Sequence, residues 1–256
     1  MERFSNAFVA RHEDTFRVYS TRWVRDPLHQ WSRQWEYCYV MQELLALQNC
    51  HDGSVLSVLD AGSGITFFPY YICHAIPGTQ VACCDVDESL TPLSERANKR
   101  ESAQPLFVAR DIRRTELGEQ SRDAVYCISV LEHTHNHEEI LSEFHRVLKC
   151  GGWLILTFDI SRDGRDQISL SESRQLVNKL CTRFSPTDQK AVEVLLHDAD
   201  LLKRDVVATV PRSEWPRHML PPRPSLRSCI RDVLSLQRPA RQGKDLTFAC
   251  YTFRKS

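Results

Sequence analysis

"VLSVLDAGSGITFFPYYICHA", residues 55–75, is a strongly apolar run broken by Asp60, Gly62, Ser63 and Gly64. Its first part, "VLSVLD", has the length and density of a strand covered on both faces, and "FFPYYICHA" reads as a helix. The interruption is therefore a glycine turn between a strand and a helix. In open α/β sheets such turns lie at the carboxyl edge, where ligands bind, and glycines let a ligand approach the backbone closely.

Working outward, the same alternation recurs. "QVACCD" (80–85), "PLFVAR" (105–110), "DAVYCISV" (123–130) and "WLILTF" (153–158) are further near-continuous apolar runs. Between them stand "SLTPLSERANKR", a polar stretch around 113–122, and "HEEILSEFHRVLK". Strand and helix in this order imply a doubly wound parallel sheet. In "HNHEEILSEFHRVLKCGG" Asn136 and Glu139 have capping-box spacing, and Ile140, Phe144, Val147 and Leu148 form one apolar stripe. Lys149 would complement the helix dipole and Gly151 would end the helix.

Beyond this core the chain is less regular. Residues 1–54 form an N-terminal helical extension, with Trp31, Trp35, Cys38 and Leu45 at helical spacing. It either packs on the core or closes over a ligand as a lid, with Trp31, Arg33 and Tyr37 facing that ligand. After 158, "SLSESRQLVNKLCTRF" and "DQKAVEVLLHDADLL" read as helices, while "DVVATV" (205–210) and "LTFACYTF" (246–253) read as strands. The 35 residues at 211–245 exceed a hairpin loop and are expected to be an insertion with a helix near "LRSCIRDVLSL". One main domain, 55–256, is thus expected behind the extension.

Composition narrows the function classes. The 256 residues are 42% hydrophobic, and 33 Lys and Arg balance 33 Asp and Glu. No overall charge field recommends nucleic acid or an anionic membrane. No apolar run approaches the roughly 20 residues of a bilayer span, and the first residues lack a secretory apolar region, so a cytoplasmic protein is expected. The ten cysteines form no C-x-x-C pair, and Cys73, Cys83, Cys84, Cys127 and Cys250 fall in apolar stretches, as buried reduced thiols do.

The turn argues against a dinucleotide. In G-x-G-x-x-G the third small residue lets helix and strand pack, and here that position is Phe67. Asp60 would also face any pyrophosphate, so a cationic ligand without phosphates suits the loop better. Asp85, 21 residues after Gly64, ends the second strand beside Val86 and can accept from both hydroxyls of a ribose. Asp111 and Ile112 follow the third strand, a carboxylate beside an apolar contact.

Together these residues resemble class I S-adenosylmethionine-dependent methyltransferases over 55–158. "VLDAGSGIT" is similar to the family's first motif, "VACCDVDESL" to its second and "FVARDI" to its adenine motif. "RDAVYCISVLEHTHN" and "LSEFHRVLKCGGWLIL" match the branch with a V-L-E-H strand end and an R-V-L-K-x-G-G helix end. Where many members carry a third Gly, this chain has Thr66. The resemblance implies a Rossmann-like, seven-stranded, mostly parallel doubly wound sheet with helices on both faces and the last strand, "LTFACYTF", antiparallel. It also implies S-adenosyl-L-methionine as cofactor and S-adenosyl-L-homocysteine as product. Asp60, Gly62, Ser63 and Gly64 would surround the methionine moiety, Asp85 and Val86 the ribose, Asp111 and Ile112 the adenine, and Ser129 and Val130 the sulfonium.

Methyl transfer from a sulfonium is an in-line displacement that needs alignment and a desolvated site. An acceptor hydroxyl or protonated amine must also lose a proton, and His133 is the candidate base. His133 and His137 are four apart, but the helix start expected after His133 breaks that geometry, so no metal is expected. Glu132 and Asp159, at strand ends, would either bind a cationic acceptor or be solvated. Strand four lacks the Asn/Asp-Pro-Pro-aromatic end of base and glutamine methyltransferases, and the chain has no Pro-Cys pair. A small-molecule acceptor methylated on N or O is therefore the reading. Two alternatives stand beside it: an RNA methyltransferase using residues 212–244, which carry a net charge of +6, and a non-catalytic cofactor-binding subunit that serves a partner.

Overall fold

A computed structural model describes residues 33–51, 54–161, 168–198, 201 and 247–256. Trp31, the strand expected at 205–210, the insertion 211–245 and its basic stretch lie outside these residues. Among the described residues there are eight strands: β1 (Ser57–Ala61), β2 (Gln80–Asp85), β3 (Leu106–Ala109), β4 (Arg122–Ile128), β5 (Leu148–Ser161), β6 (Ile168–Ser169), β7 (Phe184–Pro186) and β8 (Thr247–Lys255). Six α-helices accompany them: α1 (Arg33–Cys50), α2 (Phe68–Ala75), α3 (Thr91–Asn98), α4 (His137–Val147), α5 (Leu170–Cys181) and α6 (Gln189–His197).

The strands form one sheet in the order β3-β2-β1-β4-β5-β8-β7, with β6 paired to β5. Pairing is parallel from β3 to β5, and β8 runs antiparallel to both β5 and β7. This is the expected doubly wound sheet with an antiparallel last strand; among the described residues, β6 and β7, too short to show in the hydropathy pattern, join six of the seven expected strands.

Alternation along the strands sorts side chains to two cores. On β4, Val125 and Cys127 face a layer built from α4, α5 and α6, while Ala124 and Tyr126 face one built from α1, α2 and α3. Because parallel strands share direction, Asp60, Asp85, Ser129 and Asp159 all arrive at one edge of the sheet. No described helix is long and apolar enough to cross a membrane.

Some local expectations are corrected. Asn136 precedes α4 but sits at φ 60° and makes no side-chain cap, so the capping box does not form; Asn tolerates this left-handed conformation better than most residues. A capping box forms instead at Ser169 and Glu172, opening α5. Lys149 pairs with Asp123 at 2.8 Å, while the C-terminal turn of α4 is capped by Lys255, whose Nζ donates to the carbonyls of His145 and Leu148. The buried face of α1 is Tyr37, Val40, Met41, Leu44 and Leu47, and Leu45 points outward at 42% exposed. β3 is an edge strand, so Leu106 is exposed and the strand is not covered on both faces. The β3–β4 connection contains no helix.

Candidate active site

The turn after β1 is shaped by two glycines with different tasks. Gly62 has φ +78°, and a Cβ there would lie 2.5 Å from Val130 Cγ2. Gly64 has φ +53° with open space around it, so its lack of a side chain serves the backbone and leaves the surface clear. The N–H groups of Gly62 and Ser63 donate to the Cys84 carbonyl, and that of Gly64 donates to Asp85 Oδ2 at 2.8 Å. Asp85 Oδ1 accepts from the Asp87 N–H, so the β2 tip and the glycine turn form one hydrogen-bonded rim.

Two cavities open along this rim and share Gly62, Asp85, Ser129 and Val130. The first, about 320 Å³, is lined by Arg33, Tyr37, Asp60, Ser63, Gly64 and Thr66 among others. The second, about 380 Å³, adds Val86, Asp111, Ile112 and His133. The first joins a buried carboxyl from β1 and a buried guanidinium from α1. The second is walled by apolar side chains with carboxylates at its rim. A larger cavity of about 720 Å³ lies at the opposite, amino edge beside Thr79 and Arg122, away from these strand ends.

Burial, together with the nearby Asp85 charge, pushes the Asp60 carboxyl up to about 8, tempered by the Tyr126 hydroxyl beside it. Burial pulls the Arg33 guanidinium down, but Glu36 more than offsets this and keeps it firmly charged. Tyr37, stacked on Phe68 at 4.5 Å between ring centroids, is raised by burial.

α1 is tied to the sheet edge by side chains the sequence reading did not single out. Glu36, fully buried, accepts from Ser129 Oγ at 2.7 Å and Thr157 Oγ1 at 2.6 Å, and pairs with Arg33. Arg33 also donates to Ser129, which holds a rare positive φ of 48°.

The other sequence candidates divide. Val86 is 71% exposed at the mouth, and Ile112 is buried in the cavity wall. Asp111 is already held by Arg113 in a two-pronged pair, which lowers its carboxyl. His133 sits in a short turn after β4, lines the second cavity and is held below the usual histidine range by burial and by Arg33. His137 opens α4 and its Nε2 lies 2.9 Å from the Leu131 carbonyl, so the two histidines share no helix face. Glu132 and Asp159 are buried, not solvated, at 9% and 6% exposed.

Residues 59–156 match the family model of a methyltransferase domain. No curated protein matches the chain significantly. Among solved structures, the chain is similar to the cyclase SpnF, at 20% identity over 79% of this chain and 75% of that one, with a TM-score of 0.52. It is similar to the Burkholderia thailandensis 1,6-didemethyltoxoflavin-N1-methyltransferase, holding its substrate and S-adenosylhomocysteine, at 19% identity over 98% and 86% with a TM-score of 0.50. The StiE O-MT structure is 12% identical over 87% and 74%, with a TM-score of 0.56. At these identities the likeness is one of fold, and a cyclase among them means that the fold does not dictate the chemistry.

Proposed function

Since residues 59–156 match the family model of a methyltransferase domain, we propose that this chain binds S-adenosylmethionine along the two joined cavities and methylates N or O of a small-molecule metabolite. The observation that carries the reading is a buried carboxyl, which an arriving ammonium would ionise, facing the same cavity as a charged guanidinium. Asp60 and Arg33 line one cavity from different elements, and together they complement the ammonium and carboxylate of an amino acid. Asp85, between that cavity and the apolar one, would take the ribose hydroxyls in place of its present backbone donors. Val86 and Ile112 would contact the adenine, and Asp111 would accept from its amino group once Arg113 swings aside.

The donor carries its own activated leaving group, so the chain supplies alignment and dryness. α1 would exclude water over the methionine end through Tyr37 and the Arg33–Glu36 pair. Ser129 and Val130 would line the path of the methyl group. For a hydroxyl acceptor His133, kept neutral at pH 7, is the base candidate. The acceptor as a small molecule is supported by the lack of base-methylating motifs at the end of β4, and the N1-methyltransferase likeness is consistent with it.

Arg33→Met tests the assignment. A charged hydrogen bond contributes roughly 1.5–3 kcal/mol, so affinity for S-adenosylhomocysteine is expected to fall about 10- to 100-fold. Methylthioadenosine, which lacks the amino-acid end, is expected to bind wild type and variant alike. Equal loss for both ligands would remove Arg33 from that role.

A further inference from the structure

Beside the methyl path lies a group of buried acids. Glu132 follows β4 and Asp159 lies near the end of β5, and the two strands are parallel neighbours. Glu132 Oε1 accepts from the Asp159 N–H at 3.2 Å, while its Oε2 is buried and makes no hydrogen bond. Glu36, on α1, adds a third carboxylate, and Arg33, the cation it pairs with, is already bound to it. Burial of an acceptor without a donor is costly, and a structure keeps such a group where a ligand completes it. What completes a carboxylate oxygen is an N–H or O–H donor, and an excess of buried acids favours a cationic one.

We propose that Glu132 is the acceptor-recognition residue and that the methyl acceptor is an amine, entering as its ammonium and donating an N–H to Glu132 Oε2. The inference rests on the donor reading, because Ser129, the neighbour of this group through Glu36, lines both donor cavities. Burial, then the Asp159 charge, raises the Glu132 carboxyl to about 8, so near pH 7 it is held largely protonated. The groups facing it are Asp159 from β5, Glu36 from α1 and the Cys127 thiol from β4, with Arg33 acting on Asp159. Arrival of the ammonium therefore ionises Glu132 and releases a proton. For transfer, the ammonium gives one proton to Glu132, and the nitrogen lone pair forms the bond to the methyl carbon. The carbon–sulfur bond breaks with its electron pair staying on sulfur, and the products are a methylated ammonium and S-adenosylhomocysteine. Glu132 then returns the balance of one proton to solvent.

The test is calorimetric titration of wild type and Glu132→Gln with S-adenosylhomocysteine. The loaded proteins are then titrated with primary amines from methylamine to phenethylamine, and with their alcohol counterparts, in two buffers of different ionisation enthalpy. The wild type is expected to bind amines about tenfold or more tightly than alcohols, with about one proton released per amine near pH 7. Glu132→Gln is expected to keep S-adenosylhomocysteine affinity, as a control for folding, and to lose both the preference and the proton release. Absence of amine binding, equal binding of alcohols, or an unchanged Glu132→Gln would each overturn the proposal. If S-adenosylhomocysteine does not bind the wild type, the donor reading fails on its own, and the amine titration of the unloaded protein is judged by the same outcomes.

Discussion

At Gly62 one added carbon would collide with Val130, a wall of both cavities, on a backbone already in left-handed geometry. Gly62→Ala is therefore expected to cost about 2–4 kcal/mol of stability, from the conformation and the overpacking together, and to weaken donor binding. Gly64→Ala, with open space, is expected to cost only about 1–2 kcal/mol. Paired denaturant titrations read the difference, and equal losses would contradict the steric account. Both glycines were legible as a turn between strand and helix because their spacing after an apolar strand is local information. Asn136 shows where local information misleads. Its spacing to Glu139 matches a capping box, but the preceding turn and the His137–Leu131 contact fix a backbone in which the side chain cannot cap.

At the scale of elements, the buried Glu36 carboxylate ties α1 to the ends of β4 and β5, with Arg33 donating beside it to Ser129. Glu36→Ala would strand Arg33 as a buried unpaired charge and leave the Ser129 and Thr157 hydroxyls without their acceptor. Removing one partner of a buried pair costs roughly 3–5 kcal/mol, and that loss is expected in urea unfolding. A loss below about 1 kcal/mol would mean that α1 is not latched there. Nothing in the chain order signals this latch, since Glu36 meets groups 93 and 121 residues away. The helical spacing announced α1, yet its buried face could be settled only by the sheet it packs on, which is why Leu45 was misassigned. β3 looked like an inner strand because apolar content does not reveal position in the sheet order.

Across the whole molecule, the carboxyls of Asp60 and Glu132 are raised to about 8 and that of Asp159 to about 7, each chiefly by burial. Raised folded-state values mean that the folded protein binds more protons than the unfolded chain between roughly pH 4 and 8. Their contribution is fully present below the unfolded carboxyl range and is lost as pH rises through 7 and 8. Unfolding free energy is thus expected to be higher at pH 6 than at pH 8, and a flat profile over that window would show that the acids are not buried in solution. Donor binding should run the other way. An ammonium on Asp60 favours its ionised form, so affinity is expected to rise with pH up to about 8.

The doubly wound sheet was readable because apolar strands alternate with helices along the chain, whereas the acid group around Glu132 arises only when β4, β5 and α1 meet. Asp85 joins the glycine turn to both cavities and is the centre of the proposed donor site. The most direct measurement is calorimetric titration of wild type and Asp85→Ala with S-adenosylmethionine and S-adenosylhomocysteine, with NAD as a control. Micromolar binding of both ligands to wild type, weakened about 100-fold in the variant and absent for NAD, is the expected result. A folded wild type that binds neither ligand, or a variant that binds them unchanged, would contradict it.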